Sequence, residues 1–299
     1  MKQTGSLSNR RQKRTNLWAC AFLAPAIILL VVFILYPIVQ SFVFSTYDWN
    51  GIAVEKIFIG FGNWKKLLED TVFWKTFRNN ITILVLSILI QIPIALIEAT
   101  FLEFSRRKNL FFKICWFLPY LMSSVAIGYL FSYALAADGG IVSAVSHLFG
   151  GKNVDMLGNQ KTALYTVIMV IAWQFVPFYM VYMRASYTNI ETEIYDAALV
   201  DGATNSQYFW RVALPILKPS IRSAAVMSMV GSLGYFDLIF VMTYGGPGTS
   251  TELMATYMYK NSFKFFKMGY GSTIACGMFL LITAFSLVTL RFLTGKDEE

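Results

Sequence analysis

The sequence has few of the residues that hold metals, cross-links or reaction centres. Its 299 residues include one histidine and three cysteines, and only 14% of them are charged. Cys20, Cys115 and Cys276 lie in separate apolar runs without metal-ligand spacing, and His147 stands alone in the Gly-rich segment 138–160. We therefore expect neither a metal site nor a disulfide framework.

Enzyme motifs are missing as well. The chain has no Gly-x-x-x-x-Gly-Lys-Ser/Thr phosphate loop and no His-Glu-x-x-His pair. No apolar run long enough to cross a bilayer contains a histidine that could act as the base of a serine nucleophile. We therefore do not expect this chain to hydrolyse ATP, and a membrane enzyme is a weak alternative.

Apolar residues are abundant and make up 56% of the chain. The first apolar run, 17–43, is too long for a secretory signal and predicts an uncleaved span. Five further runs reach the ~20 residues that cross a bilayer. They lie near 77–102, 110–137, 162–184, 221–243 and 269–293. The sequence therefore predicts an all-α integral membrane protein with six transmembrane helices.

The distribution of basic residues predicts which side each segment faces. With the N-terminus inside, lysine and arginine are in excess on the inner side, most clearly in the short loop 103–113. The formal net charge of +8 then reflects basic loops against anionic lipid rather than nucleic acid.

This orientation divides the chain into segments. We predict cytoplasmic tails at 1–16 and 294–299, an extracytoplasmic segment at 44–76 and a permeation core at 77–293. Within the core we expect an outer loop at 138–160, and a turn followed by a short helix at 244–268.

A polar elbow, 188–219, lies between the fourth and fifth apolar runs, on the predicted inner side. Its pattern predicts two short helices around one break. Thr188 with Glu191 and Thr204 with Gln207 fit capping boxes, and Gly202 fits a left-handed residue after the first helix. Two prolines, Pro215 and Pro219, are expected to end the second helix.

The first helix of the elbow offers one small-residue face. Ile194, Ala197, Ala198 and Asp201 are spaced to share it, and Asp196 adds a charge beside the alanines. The face could dock a soluble partner, or the segment could be an ordinary amphipathic loop. The residues by themselves leave both interpretations open.

A resemblance favours the docking interpretation. Asp196-Ala197-Ala198, three residues, Gly202, nine residues, Val212, one residue and Leu214-Pro215 closely resemble the EAA loop of binding-protein-dependent ABC importer permeases. The departures are Asp for Glu at 196 and Val for Ile at 212. The resemblance implies a type I ABC importer (MetI-like) fold. It also implies that the elbow is a coupling helix that sits in a groove of a cytoplasmic ATPase. The residues implied in coupling are Asp196, Ala197, Ala198, Asp201, Gly202, Leu214 and Pro215.

Three further segments resemble the carbohydrate branch of this superfamily. They are Phe58–Asp70 before the second span, Asp237–Pro247 at the end of the fifth, and Gly269–Ser272 at the start of the sixth. They imply a maltose-type or multiple-sugar permease in a bacterial or archaeal cell membrane. The substrate would be an oligosaccharide or a related sugar.

The resemblance also implies partners. They are a second homologous permease, two ABC ATPase subunits and an extracytoplasmic solute-binding protein, with lipid around the spans and no nucleic acid. ATP and Mg²⁺ would belong to the ATPase subunits, and this chain would bind no cofactor.

A sugar pathway needs hydroxyl-binding groups and flat aromatic faces inside the membrane, where polar groups are costly unless they face the bundle or water. Three spans offer such groups at helical spacing. The candidates, whose spacing from the elbow resembles the sugar contacts of maltose-type permeases, are Tyr120, Ser124, Gln174, Phe175, Phe178, Ser228, Ser232 and Tyr235. The other interpretation is that the serines pack helices together and the aromatics fill the core.

Two other transport functions stay open. One is a permease of the same superfamily for a solute other than sugar. The other is a secondary transporter, which would need a membrane-buried ionisable relay. Only Asp237 is near such a position, and it lies close to the end of a span.

Overall fold

The computed structural model describes residues 18–19, 21–104 and 110–294. The predicted tail 1–16, most of the tail 294–299, Cys20 and the middle of the loop 103–113 lie outside the described residues. Apart from two short strands, the regular secondary structure of the described chain is helical. The strands β1 (Tyr47–Asp48) and β2 (Ile57–Phe58) pair antiparallel, with Tyr47 opposite Phe58.

The helices follow one another in the order α1 to α13. Their bounds are α1 Ala21–Phe44, α2 Gly62–Glu69, α3 Thr71–Phe104, α4 Leu110–Leu121, α5 Ser124–Ala134, α6 Ile141–Leu148, α7 Ala163–Tyr187, α8 Thr192–Val200, α9 Asn205–Tyr208, α10 Leu214–Leu233, α11 Asp237–Met242, α12 Met254–Tyr259 and α13 Met268–Thr294.

Four of these helices are long and apolar enough to cross a membrane: α1, α3, α7 and the part of α13 up to Thr289. The pair α4 and α5 adds a fifth span if the two count as one. The all-α membrane fold is confirmed, but the count of six spans is not. The predicted fifth span corresponds to the end of α10 and to α11. Helix α10 carries Lys218 and Arg222, which interrupt its apolar character.

Two helix breaks interrupt apolar runs that the sequence presents as continuous. The run 110–137 bends by 100° between α4 and α5, where Ser123 is extended. The run 221–243 is broken at 234–236, between α10 and α11. Breaks at membrane depth are tolerated only where protein or a cavity satisfies the freed backbone groups. The surroundings of both breaks are therefore candidate functional positions.

The expectation that Pro215 and Pro219 end a helix is wrong. The chain is helical without interruption from α9 through a π-helical turn, Phe209–Ala213, into α10. Pro215 lies in the first turn of α10, directly after the π-helical turn, and Pro219 lies inside the helix. Proline lacks an N–H and clashes with the carbonyl four residues earlier. A π-helical turn changes that spacing, so the helix continues past Pro215.

The chain divides into two units, each described here by itself. The first comprises the described residues up to Leu68 together with Asn261–Cys276. The Asn63 amide donates to the carbonyls of Ser45 and Tyr47 at 3.1 and 2.9 Å, and the Gly269 amide donates to Trp49 at 3.0 Å. A Cβ atom at Gly269 would collide with the Tyr47 carbonyl oxygen, so this close approach requires glycine. No side chain of α1 is buried.

The second unit, Glu69–Lys260 with Gly277–Glu299, is built on the packing of α3 against α7. Its buried apolar residues form two main clusters. The cluster that includes Ile83, Ile168 and Leu238 lies toward the start of α3, and the other, with Ala99 and Met183, lies toward its end. Between the two clusters α3 and α7 carry buried amides, Gln91 and Gln174. Two buried side-chain amides therefore lie at mid-helix, between the two apolar clusters.

Two asparagines at the start of α3 hold the segment that follows α10. The Asn80 amide donates to the Leu233 carbonyl at 3.1 Å, and its oxygen accepts from the Met254 N–H at 3.0 Å. The neighbouring Asn79 donates to the Glu252 carbonyl at 2.9 Å. Leu233 is the last residue of α10, so Asn80 satisfies a carbonyl that the helix end leaves without a partner.

We predict that Asn80→Ala lowers the free energy of unfolding by about 2–4 kcal/mol, because it leaves two buried backbone groups unpaired. Thermal unfolding of the purified chain, followed by tryptophan fluorescence, measures the effect. Asn189→Ala removes an exposed amide and is the matched control. Equal unfolding temperatures for both variants would show that Asn80 does not hold the break.

Candidate functional site

Gln174 joins the two helix breaks. This residue of α7 is 3% exposed. Its amide nitrogen donates to the Ser124 hydroxyl at 3.2 Å, and its amide oxygen accepts from the Tyr235 hydroxyl at 3.5 Å. Ser124 is the first residue of α5, directly after one break, and Tyr235 lies within the other. The structure thus brings three of the predicted pathway residues into one hydrogen-bonded group.

An aromatic cluster lies beside this group. The Tyr120 and Phe178 rings stack with centroids 5.1 Å apart, and Tyr120 meets the edge of Phe175 at 5.9 Å. Phe175 in turn contacts Tyr235 edge to face at 5.8 Å. All four rings are half-buried, so they are neither fully enclosed in the core nor fully exposed.

A cavity of about 70 Å³ lies between α3, α7 and α10. Four of the eight predicted pathway residues line it: Phe175, Ser228, Ser232 and Tyr235. Tyr120 contacts Phe175, and Gln174 contacts Tyr235. Phe178 and Ser124 are joined to them through Tyr120 and Gln174. The structure therefore places all eight in one connected region.

Sequence reasoning missed two polar residues of this region, Gln91 and Tyr179. The Ser228 hydroxyl donates to the Gln91 amide oxygen at 3.2 Å, and Tyr179 is buried in the same region. Both line the cavity, with Ile171 and Gly231. The signal was present, because Gln91 is an amide inside an otherwise apolar run, where a polar residue marks a candidate site.

The chemistry of the cavity is neutral. None of the residues that line it carries a charge at neutral pH, and they offer amides, hydroxyls and aromatic faces. Such groups hydrogen-bond hydroxyls and stack on flat apolar faces. They are poorly suited to holding an isolated charge in a low-dielectric site.

The elbow ends its first helix as the sequence predicts. Gly202 has φ +74°, its N–H donates to the Leu199 carbonyl at 3.0 Å, and the Ala203 N–H donates to the Ala198 carbonyl at 3.0 Å. This pair of bonds is a Schellman motif, and the left-handed conformation favours glycine. The capping box of Thr204 with Gln207 is also confirmed.

The other predicted capping box is wrong. Thr188 follows the last residue of α7, and its hydroxyl donates back to the Ala185 carbonyl at 2.6 Å. Helix α8 begins later, at Thr192, with Glu191 as its N-cap and no side-chain cap. Thr188 is engaged by the end of α7 and cannot cap α8.

The shared face predicted for α8 is only partly present. Ala198 packs with Tyr195 against the apolar cluster at the end of α3, whereas Asp196, Ala197 and Asp201 are exposed. The two alanines therefore point in different directions. Ala197 belongs to the exposed face of α8, and Ala198 holds the helix against its own chain.

Tyr208 fixes the position of α8. It is 5% exposed, and its ring meets Tyr195 at 4.9 Å and Phe104, the last residue of α3, at 6.0 Å. Burial raises the pKa of the Tyr208 hydroxyl, with smaller contributions in the same direction from Glu103 and Tyr195. Two tyrosines thus connect α8 to the C-terminal end of α3.

The last two predicted coupling residues lie apart from α8 along the chain. Leu214 is half-buried and Pro215 is exposed, at the start of α10. Val212, just before them, packs against the same cluster as Tyr195 and Ala198. The elbow is therefore one packed unit from α8 to the start of α10.

Comparison with known families decides what this arrangement is. Residues 91–294 match the family described as "Binding-protein-dependent transport system inner membrane component". The chain belongs to this family. The matched range contains the cavity, both helix breaks and the whole elbow.

Relatives match along nearly the whole chain. The lactose transport system permease protein LacF of Rhizobium radiobacter is 32% identical, with 100% of both chains covered. The multiple sugar-binding transport system permease protein MsmF of Streptococcus mutans is 32% identical over 96% of this chain and 99% of its own length.

A solved structure shows the same fold. It is that of a bacterial ABC transporter involved in the import of the acidic polysaccharide alginate, and it matches with a TM-score of 0.83 at 20% identity. The match covers 97% of this chain and 100% of the other. The sequence predicted the family and the fold of a binding-protein-dependent ABC importer permease, and both are confirmed. As a permease the chain is a multi-pass membrane transport subunit and not an enzyme.

Proposed function

We propose that this permease forms half of a sugar translocation pathway and that its cavity region contacts the sugar. The observation that carries the proposal is the group formed by Gln174, Ser124 and Tyr235 at the two helix breaks. The neutral lining suits a hydroxyl-rich solute. The relatives LacF and MsmF, whose names refer to lactose and to multiple sugars, support the same class of substrate.

The cavity within this chain is small. At about 70 Å³ it is well below the ~300 Å³ at which ligand sites begin, so a sugar cannot enter without movement of the helices around it. Alternating access would supply that movement. A secondary transporter is disfavoured, because no ionisable relay lines the cavity and Asp237 is exposed.

The companion subunits follow from the family. The pathway would be completed by a second, homologous permease, and a solute-binding protein would deliver the sugar from outside. Two cytoplasmic ABC ATPases would bind ATP and Mg²⁺, because this chain has no phosphate-binding loop of its own. The exposed face of α8, with Asp196 and Ala197, would enter the groove of one ATPase.

A bulky side chain on the exposed face of α8 tests whether this face couples the permease to the ATPase. Ala197 is exposed, so Ala197→Trp should leave the subunit inserted. It should lower sugar-driven ATPase activity and uptake by roughly tenfold or more, equivalent to about 1.4 kcal/mol or more of lost interaction. Activity of the reconstituted transporter and copurification of the ATPase report the effect.

The control for this test is Ser206→Trp, an equally bulky change at an exposed position of α9. It should leave uptake close to that of the wild type. Normal uptake by stably inserted Ala197→Trp would show that the ATPase contacts another surface.

Gln174→Leu tests the pathway. It keeps most of the bulk but removes the donor to Ser124 and the acceptor from Tyr235. With about 1 kcal/mol net for each hydrogen bond, the apparent affinity for sugar should fall several-fold. The measurement is sugar-dependent ATPase activity of the assembled transporter, with the solute-binding protein present.

Ser87→Ala provides a control inside the same bundle. Ser87 is fully buried in α3, and its hydroxyl has no hydrogen-bond partner among the described residues. The change should leave the apparent affinity unaltered. If Gln174→Leu behaves in the same way, Gln174 only packs helices and the sugar passes elsewhere.

The orientation of the chain in a bacterial or archaeal cell membrane, with both ends inside, is proposed from the excess of basic residues in the loop 103–113. Two exposed positions test it: Ser206 on α9 and Lys152 after α6. In a background without the three native cysteines, a membrane-impermeant thiol reagent applied to whole cells should label Lys152→Cys. Ser206→Cys should be labelled only after lysis, and the opposite pattern would invert the topology.

A further inference from the structure

A second, larger recess lies at the opposite end of α3 from the elbow. This outer cleft has a volume of about 500 Å³. It is formed by the first turns of α3, by the start of α7 with the residues before it, and by the segment after α11. Its lining residues are Lys75, Arg78, Asn79, Thr82, Gln160, Lys161, Leu164, Tyr165 and Ser250. It shares no lining residue with the cavity at Gln91.

The outer cleft is cationic. Lys75, Arg78 and Lys161 line it, and no aspartate or glutamate does. The Lys75 ammonium donates to the Thr249 hydroxyl at 2.9 Å, whereas neither Arg78 nor Lys161 has a salt-bridge partner among the described residues. Three exposed positive charges in one concave surface attract an anion and raise its local concentration.

The frame of the outer cleft is fixed by hydrogen bonds. The Asn79 side chain donates to the carbonyls of Ser250 and Glu252 at 3.1 and 2.9 Å, which fastens one wall to α3. On the other wall the Lys161 N–H donates to the Asn159 side chain at 2.9 Å. The positions from which the cations extend are therefore preformed, which lowers the entropy lost on binding.

The length of α3 places the outer cleft beyond the hydrocarbon core. Helix α3 has 34 residues and is about 51 Å long at 1.5 Å per residue, whereas the hydrocarbon core is ~30 Å thick. Lys75 and Arg78 occupy its first turns, and the long apolar stretch of the helix begins after them, at Ile81. The cleft is accessible to a soluble protein, and Leu164 and Tyr165 offer too little apolar surface to seat an acyl chain.

We propose that the outer cleft receives acidic side chains of the extracytoplasmic solute-binding protein. This inference rests on the proposed function, which requires such a protein on this side. The positive charges of the outer cleft favour an acidic surface on the solute-binding protein, because carboxylates pair with Arg78 and with the lysines. Docking there would act on the outer end of α3, whose middle carries Gln91 and whose inner end contacts Tyr208.

Charge reversal tests the proposal in the complete transporter, reconstituted in phosphatidylcholine nanodiscs. The solute-binding protein, loaded with its sugar, is titrated and ATPase activity is measured. Arg78→Glu with Lys161→Glu should raise the half-maximal concentration several-fold and leave the maximal rate unchanged. It should also weaken the dependence on salt, because fewer opposite charges then meet at the interface.

The matched control is Lys65→Glu with Lys152→Glu, the same change in charge at exposed positions outside the outer cleft. Its half-maximal concentration should stay near that of the wild type, and Arg78→Lys should retain most of the binding. An equal effect of the control would mean that only the overall charge matters. An unchanged half-maximal concentration in the double charge reversal would reject the docking site outright.

Three further outcomes would also reject the proposal. If the reversal changes only the response to added phosphatidylglycerol, the outer cleft holds a lipid headgroup. If free glucuronate binds the wild-type permease but not the variant, without any binding protein, the cleft takes an acidic sugar. If the binding protein does not stimulate even the wild-type transporter, the proposed function fails and this inference fails with it.

Discussion

One side-chain amide lies between the two helix breaks at the centre of this permease. The Gln174 nitrogen donates to Ser124 at 3.2 Å and its oxygen accepts from Tyr235 at 3.5 Å, so a single residue of α7 bridges both helix breaks. A membrane protein can interrupt a helix only where the freed polar groups are satisfied by protein or face a cavity. The breaks, the buried amides and the cavity therefore occur at the same level, because a break needs polar side chains or a cavity beside it.

Helix α3 connects this centre to both ends of the molecule. At its start Asn79 and Asn80 hold the segment after α10, in its middle Gln91 accepts from Ser228, and at its end Phe104 contacts Tyr208. It packs along α7 between these points. A displacement of α8 would thus reach the cavity through Tyr208 and α3, without any flexible connection. That continuity would be the physical basis of the proposed coupling between α8 and the cavity.

Local features of the sequence predicted more than non-local ones. Four of the six apolar runs, the left-handed Gly202 and the capping box of Thr204 depend on neighbours within a few residues, and the structure has them, although the equally local capping box of Thr188 is wrong. The direction of Ala198 depends on Tyr208, ten residues away, so spacing within α8 could not reveal that it faces inward. The role of Gln91 depends on Ser228, 137 residues later. The break at 234–236 likewise depends on Asn80, which donates to the last carbonyl of α10 although it lies 153 residues earlier in the chain.

The geometry of Gln174 also explains how the pathway could open at low cost. Its two hydrogen bonds, at 3.2 and 3.5 Å, are at or beyond the long end of the usual range, so they are weak. A sugar hydroxyl can both donate and accept, and it could replace either partner with a shorter bond. Exchanging one hydrogen bond for another changes the free energy little, whereas leaving a buried amide unpaired costs about 1–3 kcal/mol. The Gln174 amide joins the two breaks when the cavity is small. It is therefore suited to release them only when a hydroxyl-bearing solute takes the place of Ser124 or Tyr235.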